Sequence, residues 1–200
     1  MLSSGKIPKK KIVIFASGNG SNAENIIRYF NKTDNAEVLA VFSNKRSAKV
    51  LKRAHELKVK ALHFDREALY ETNEVLNVLK DLEPDLIVLA GFLWVFPAKI
   101  LKNFPNRVIN LHPALLPKFG GKGMYGMNVH RAVIEQKELE TGISIHYVNE
   151  KYDEGEIIFQ ATTPVKPGDS AEDIAEKIHE LEYEHFPQVI EKLLFPSKND

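Results

Sequence analysis

Two hydrophobic periods alternate along this chain. Short apolar runs with almost no polar interruption occur at Lys11–Ala16 (KIVIFA), Glu37–Asn44 (EVLAVFSN), Asp85–Ala90 (DLIVLA) and Arg107–His112 (RVINLH). Such runs predict strands buried on both faces. A shorter strand is predicted near Lys60–Phe64. Between the strands the period lengthens to that of a helix. Ser21–Asn31 carries Ile26, Ile27 and Phe30 on one stripe, Ala48–Leu57 forms a second helix, and Arg66–Leu82 forms a long one with Leu69, Leu76 and Leu79 inward. A short helix is expected near Pro97–Lys102. The alternation predicts an α/β fold, doubly wound around a mostly parallel sheet, with right-handed crossovers.

The pattern changes after His112. Pro113–Gly126 is a long loop rich in Gly, Pro and Lys, and Asn128–Gln136 is helical. Gly142–Asn149 (GISIHYVN) and Glu156–Val165 (EIIFQATTPV) alternate in the manner of strands. They flank Asp153-Glu154-Gly155, which predicts an antiparallel hairpin of C-terminal strands with a long functional loop. Gly168-Asp169-Ser170 precedes a final helix running to about Leu194, which Pro187 is expected to kink.

Composition removes several function classes. The 27 basic and 27 acidic residues cancel, so no global field draws the chain to nucleic acid or to a membrane. There is no cysteine, which excludes disulfides, thiol nucleophiles and Cys-ligated zinc, and fits a reducing compartment. No apolar run approaches the ~20 residues of a membrane span, and no signal-peptide pattern precedes Lys11, so a cytoplasmic setting is expected. The basic cluster Lys6, Lys9, Lys10 and Lys11, beside Ser3, Ser4 and Gly5, reads as a flexible arm over residues 1–10. Residues 11–200 then form a single domain.

The chemistry concentrates in Asn110-Leu111-His112-Pro113-Ala114-Leu115-Leu116-Pro117. Residues i and i+2 of a strand project to one side. Asn110 and His112 therefore point together from a strand end, where open α/β sheets bind ligands. A carboxamide donates to a developing oxyanion, and an imidazole moves a proton near neutral pH. Asp153 adds a carboxylate, and Asn, His and Asp suffice for acyl transfer without a covalent intermediate. Asp153 also fits an ordinary turn. Ser17-Gly18-Asn19-Gly20-Ser21-Asn22, between the first strand and first helix, is either a plain glycine-rich turn or an anion site suited to a monophosphate. Leu89–Phe96, with Gly91 and Trp94, is either a core segment or a wall for a flat heterocycle. His146 reads as a support for the site, while His130 reads as structural. Glu182 reads by pattern as a solvated charge. No H-x-x-x-H or H-E-x-x-H pair exists, so no metal site is expected.

Taken together, GNGSN, LAGFL, NLHPALLPKF-G and YDEGEII…Q resemble the folate-dependent formyltransferase family, over Lys11 to about Leu194. N-L-H-P-x-L-L-P marks the wider family, and GNGSN marks the phosphoribosylglycinamide branch. The length fits that branch, since relatives acting on methionyl-tRNA or hydrolysing formyltetrahydrofolate carry a further domain. The resemblance implies a formyltransferase fold: a Rossmann-like nucleotide- and phosphate-binding half at about 11–105, then a catalytic and folate-binding half at about 106–195.

It also implies a reaction, in which the amine of glycinamide ribonucleotide attacks the formyl group of 10-formyltetrahydrofolate. Asn110, His112 and Asp153 match the catalytic set. Gly20, Ser21 and Asn22 match the phosphate loop, and Glu182 with His179 the ribose site. Arg66, Leu93, Trp94, Val95, Phe96 and Asn149 match the folate site, together with Asn110 and Asp153. The loop around Asn149–Asp153 is expected to close over the pterin. The implied partners are small molecules, and the chain is a monomer or homodimer. Three features depart from the family pattern: Trp94 where a basic side chain is common, His179 where a neutral polar one is expected, and a longer loop at Lys122–Gly126. Two other functions compete. One is formyl hydrolysis by the same Asn/His/Asp set. The other is a non-catalytic nucleotide-binding module, which leaves that set unexplained.

Overall fold

The computed structural model describes residues 8–196. Its elements are β1 (Lys10–Phe15), α1 (Ser21–Thr33), β2 (Ala36–Ser43), α2 (Lys49–Glu56), β3 (Lys60–His63), α3 (Arg66–Tyr70), α4 (Glu74–Leu82), β4 (Leu86–Leu89), α5 (Ala98–Asn103), β5 (Val108–His112), α6 (Met127–Glu135), β6 (Glu140–Tyr147), β7 (Ile157–Pro164) and α7 (Ala171–Leu194). One seven-stranded sheet runs in the order β3-β2-β1-β4-β5-β6-β7. The first five strands are parallel to their neighbours, while β5–β6 and β6–β7 are antiparallel. The chain leaves β1 toward β2 on one side and returns to β4 on the other. This reversal opens a crevice at the C-terminal ends of β1 and β4.

The two-residue period of the strands explains the two layers. Ile12, Ile14, Leu86, Val88, Ile109 and Leu111 face one core with α1 and α7. Val13, Phe15, Ile87, Leu89 and Val108 face the other, with α4 and α5. Asn110 and His112 share the parity of Val108, so the polar pair ends a row of core side chains. Phe15, fully buried, anchors this second core: it stacks on Phe42 at 4.8 Å between ring centroids and meets Phe64, Phe92 and Phe96 edge-on. Truncating a ring so placed costs about 3–5 kcal/mol. The cluster supports the segment that follows β4.

Two expectations change in detail. The basic arm through residue 10 falls mainly on residues 1–7, outside the described ones. Lys10 already opens β1, and its ammonium pairs with Asp85 at 2.9 Å. The long helix over Arg66–Leu82 is two helices, α3 and α4, broken at Thr72-Asn73. Leu69 and Leu76 stay on one buried face across the break, which is why the period hides it; the Lys99 ammonium donates to the Thr72 carbonyl exposed there. The final helix runs to Leu194 as expected, with Pro187 inside it. The helix starts as expected at Ser170, whose hydroxyl accepts from the Asp173 N–H while the Asp173 carboxylate accepts from the Ser170 N–H. Among the described residues no helix is long and apolar enough to cross a membrane.

Candidate active site

The crevice at the strand ends holds the polar residues singled out by the sequence. β5 delivers Asn110 and His112 to one side. Its antiparallel neighbour β6 sets His146 opposite Asn110 and Ser144 opposite His112. Ser144 pins the proline-rich turn: its hydroxyl donates to the Ala114 carbonyl at 2.7 Å and accepts from the Leu116 N–H at 2.9 Å and from Gln160 at 2.7 Å. The turn is thus held against β6 rather than left to solvent.

Asp153 arrives from the loop between β6 and β7 with φ of 54°, a left-handed conformation that costs a non-glycine residue energy and is common where function demands it. One carboxylate oxygen accepts from the Gly121 N–H at 2.9 Å and lies 3.5 Å from His112 Nδ1. The other lies 3.4 Å from Asn110 Nδ2 and 3.6 Å from His146 Nε2. Burial alone would raise the Asp153 pKa, but His146, His112 and the Gly121 amide together hold it below the ordinary value. It stays a carboxylate at neutral pH.

His112 is 3% exposed. Burial pulls its pKa down, and this outweighs the opposing pull of Asp153 and of the Phe119 carbonyl. The resting ring is neutral. Its Nε2 sits 2.8 Å from the Phe119 carbonyl, which can only accept, so Nε2 carries the proton and Nδ1 is bare. A proton arriving at the ring goes to Nδ1, beside Asp153. The same logic fixes His146: Nδ1 donates to the Tyr147 carbonyl at 2.9 Å, leaving Nε2 to accept from Asn110 at 3.1 Å. His146 therefore orients the Asn110 carboxamide.

Around this cluster lie two cavities. The larger, about 700 Å³, begins at the β1–α1 turn. Gly20 there has φ of 77°, and a Cβ on it would sit 2.3 Å from Val50 Cγ2, so both conformation and space require glycine. No side chain caps α1, which leaves its first amides free for an anion. Arg53 fastens the turn by donating to the Asn19 carbonyl at 2.9 Å. Asn22 Nδ2 donates to Glu182 at 2.9 Å, and His179 Nδ1 meets the same carboxylate oxygen at 2.9 Å. That hydrogen bond raises the His179 pKa. Glu182 is 6% exposed and lines the cavity, contrary to the solvated charge its pattern suggests. Its neighbours come from elements far apart in sequence, so no local pattern shows its burial.

The smaller cavity, about 50 Å³, is walled by Trp94, Val95, Phe96, His146, Asn149 and Tyr152. Asn110 and Asp153 line both cavities. Two residues expected at the folate site do not line the smaller cavity. Leu93 lines the larger cavity, because its N–H donates to the Ser17 hydroxyl at 3.0 Å and ties it to the β1–α1 turn. Arg66 lines neither cavity: its guanidinium lies 4.8 Å from the centre of the Tyr70 ring and 5.8 Å from that of Trp94. Conversely, His130 lines the larger cavity although its sequence reads as structural. The 121–126 loop also borders that cavity, fixed to Asp153 through Gly121. Among the described residues, no three His, Asp or Glu side chains are grouped to hold a metal ion.

Comparison with known proteins agrees with this architecture. The formyl transferase family model matches residues 10–190. Phosphoribosylglycinamide formyltransferase of Escherichia coli (strain K12) is 37% identical over 187 residues, covering 90% of this chain and 84% of that one. The Haemophilus influenzae protein of the same name is 36% identical over 186 residues, covering 90% and 85%. The chain spans 64% of the length of a chloroplastic relative from Arabidopsis thaliana, which is 34% identical over 188 residues, 91% of this chain. Among solved structures, phosphoribosylglycinamide formyltransferase of Bacillus halodurans superposes with a TM-score of 0.84 at 32% identity, covering 95% of this chain and 98% of that one. The chain belongs to the formyl transferase family.

Proposed function

We propose that the protein transfers the formyl group of 10-formyltetrahydrofolate to the amine of N1-(5-phospho-D-ribosyl)glycinamide, giving the N2-formyl product and tetrahydrofolate, a step of purine biosynthesis. The observation that carries this reading is the meeting of two cavities at Asn110 and Asp153, one opening on a helix N-terminus suited to phosphate and one walled by aromatic residues. A nucleotide amine and a folate formyl group approach each other across such a junction. The names of the relatives supply a formyl transfer and its acceptor, phosphoribosylglycinamide.

In this reaction Ser21, Asn22 and the free amides after Gly20 hold the phosphate, and Glu182, steadied by Asn22 and His179, accepts from the ribose hydroxyls. Trp94, Val95, Phe96 and Asn149 hold the pterin. A cavity of about 50 Å³ is far below the ~300 Å³ of ordinary ligand sites, so the loop carrying Asn149, Tyr152 and Asp153 swings outward to admit the folate and closes behind it. The amine nitrogen then bonds to the formyl carbon, and negative charge collects on the formyl oxygen. Asn110 Nδ2 stabilises that charge by giving up its weak 3.4 Å contact with Asp153 while His146 keeps its orientation. As the carbon–N10 bond breaks, a proton passes from the amine to N10. His112 serves this transfer, and Asp153 stabilises the imidazolium formed when Nδ1 takes a proton.

A spectrophotometric assay with 10-formyl-5,8-dideazafolate and glycinamide ribonucleotide tests the proposal. Product forms only when both are present. Deformylation that does not depend on the nucleotide refutes transfer and favours hydrolysis.

A further inference from the structure

Three histidines are buried in the described residues: His112 (3% exposed), His146 (2%) and His130 (5%). The first two have hydrogen-bond partners that fix their tautomers. His130 has none. Its Nδ1 is buried without a partner, and no described protein group bonds its Nε2. The ring projects from α6 into the wall of the larger cavity. Asn22, which lines the same cavity, also has a buried atom without a partner, its Oδ1. A buried polar group left unmet is costly, and native proteins rarely leave one without reason.

Its position suggests the reason. The Glu182 carboxylate and the His179 and His112 rings all act on the charge of His130. The ring lines the same cavity as the carboxylate assigned to the ribose and the imidazole assigned to the formyl transfer. A substrate joining those two points is a ribosyl amide, which carries hydroxyl and amide groups along that span. We propose that His130 is a substrate-binding residue, its imidazole completing its hydrogen bonds with the ribosyl-amide portion of the nucleotide between Glu182 and His112. This rests on the nucleotide reading given above. Burial keeps the ring neutral against the pull of Glu182, so it offers one donor and one acceptor, which matches a hydroxyl or an amide better than it matches the phosphate.

The test uses the full chain with His130→Leu and His130→Gln. Leucine removes both nitrogens and keeps an apolar fill. Replacing an unmet polar group by an apolar one is neutral or stabilising to the free protein, so the melting temperature holds or rises. The nucleotide KM rises about tenfold, the loss of one buried hydrogen bond. The folate-analogue KM stays within about twofold, and glutamine restores part of the nucleotide affinity. His130→Phe repeats the measurement should the leucine variant fail to fold. A folded variant with wild-type nucleotide KM, or one in which both KM values rise equally, overturns the proposal. Calorimetric titration with glycinamide ribonucleotide separates the two readings. A wild-type protein that binds the nucleotide but transfers nothing refutes the reaction alone, and the ratio of Kd values between wild type and variant still judges His130. A wild-type protein that binds no nucleotide refutes both.

Discussion

Replacing Asp153 by asparagine keeps the side-chain shape and removes its charge. The amide oxygen can still accept from the Gly121 N–H, now at 2.9 Å, so the loop remains anchored. What is lost lies on the catalytic side. The carboxylate faces His112 Nδ1 at 3.5 Å and Asn110 Nδ2 at 3.4 Å. With asparagine, an imidazolium at His112 has no counter-charge, and an amide NH2 placed on that side opposes the NH2 of Asn110. Each lost contact with a charged group is worth ~1.5–3 kcal/mol. Asn110 leaves Asp153 in the transition state in any case, so only the imidazolium contact raises the barrier there, by ~1.5–3 kcal/mol, or ~10–10² in kcat. Because Asp153 pulls the His112 pKa up against burial, its removal lowers that pKa further, and the acid limb of the kcat–pH profile shifts to lower pH. Nucleotide affinity stays near wild type, since Ser21, Asn22 and Glu182 are untouched. His112→Ala is at least as damaging, and the double variant is little worse, because groups acting as one unit are not additive. Steady-state kinetics with circular dichroism to confirm folding decide the matter. A folded Asp153→Asn protein with near wild-type kcat refutes the assigned role and leaves Asp153 a turn residue.

Gly20→Ala forces a Cβ to within 2.3 Å of Val50 at a positive φ; urea unfolding should show a loss of ~1–3 kcal/mol, and the nucleotide KM should rise more than the folate KM. Trp94, the only tryptophan, lines the smaller cavity, so a folate analogue should change its emission saturably while the nucleotide alone changes it little. Stability should fall on acidification through the ordinary histidine range near ~6.5: burial lowers the pKa of both His112 and His130, so the unfolded chain takes protons there first. His179 has the opposite sign, its raised pKa stabilising the fold below that range and fading as pH rises through its folded value, but its side chain is 55% exposed and contributes little. Melting temperatures between about pH 7 and about pH 5 measure the slope, which flattens in a His112→Gln, His130→Leu variant.

The sheet was legible because its central strands are buried on both faces and spell this out in unbroken apolar runs. Asn110 and His112 were legible for a related reason: they interrupt such a run with the same two-residue spacing that places Val108 in the core. What escaped local reading depends on distant partners. The break at Thr72-Asn73 preserves the apolar stripe and meets Lys99 from α5. Glu182 looks like any helix-surface acid until Asn22, 160 positions away, bonds to it. Leu93 is turned to the larger cavity by a hydroxyl on the first loop, Ser17, and Arg66 packs over the Tyr70 and Trp94 rings. His130 has no sequence signal at all, because what marks it is the absence of a partner in three dimensions.

The bond from the Gly121 N–H to Asp153 joins the 121–126 loop, which borders the larger cavity, to the loop that walls the smaller one and reaches both. A ligand that orders either loop spends conformational entropy on an anchor the other loop shares, so the second ligand has less left to spend. The two substrates of the proposed reaction should therefore bind with positive cooperativity. Thermodynamic reciprocity requires that the nucleotide tighten the folate analogue by the same factor as the analogue tightens the nucleotide, with ~5-fold a reasonable lower value for such coupling. Asp153→Ala, which cuts the link, should reduce both factors toward one together. Calorimetric titrations of each ligand with and without its partner give both factors, and independent binding in the wild-type protein would show that the two loops move separately.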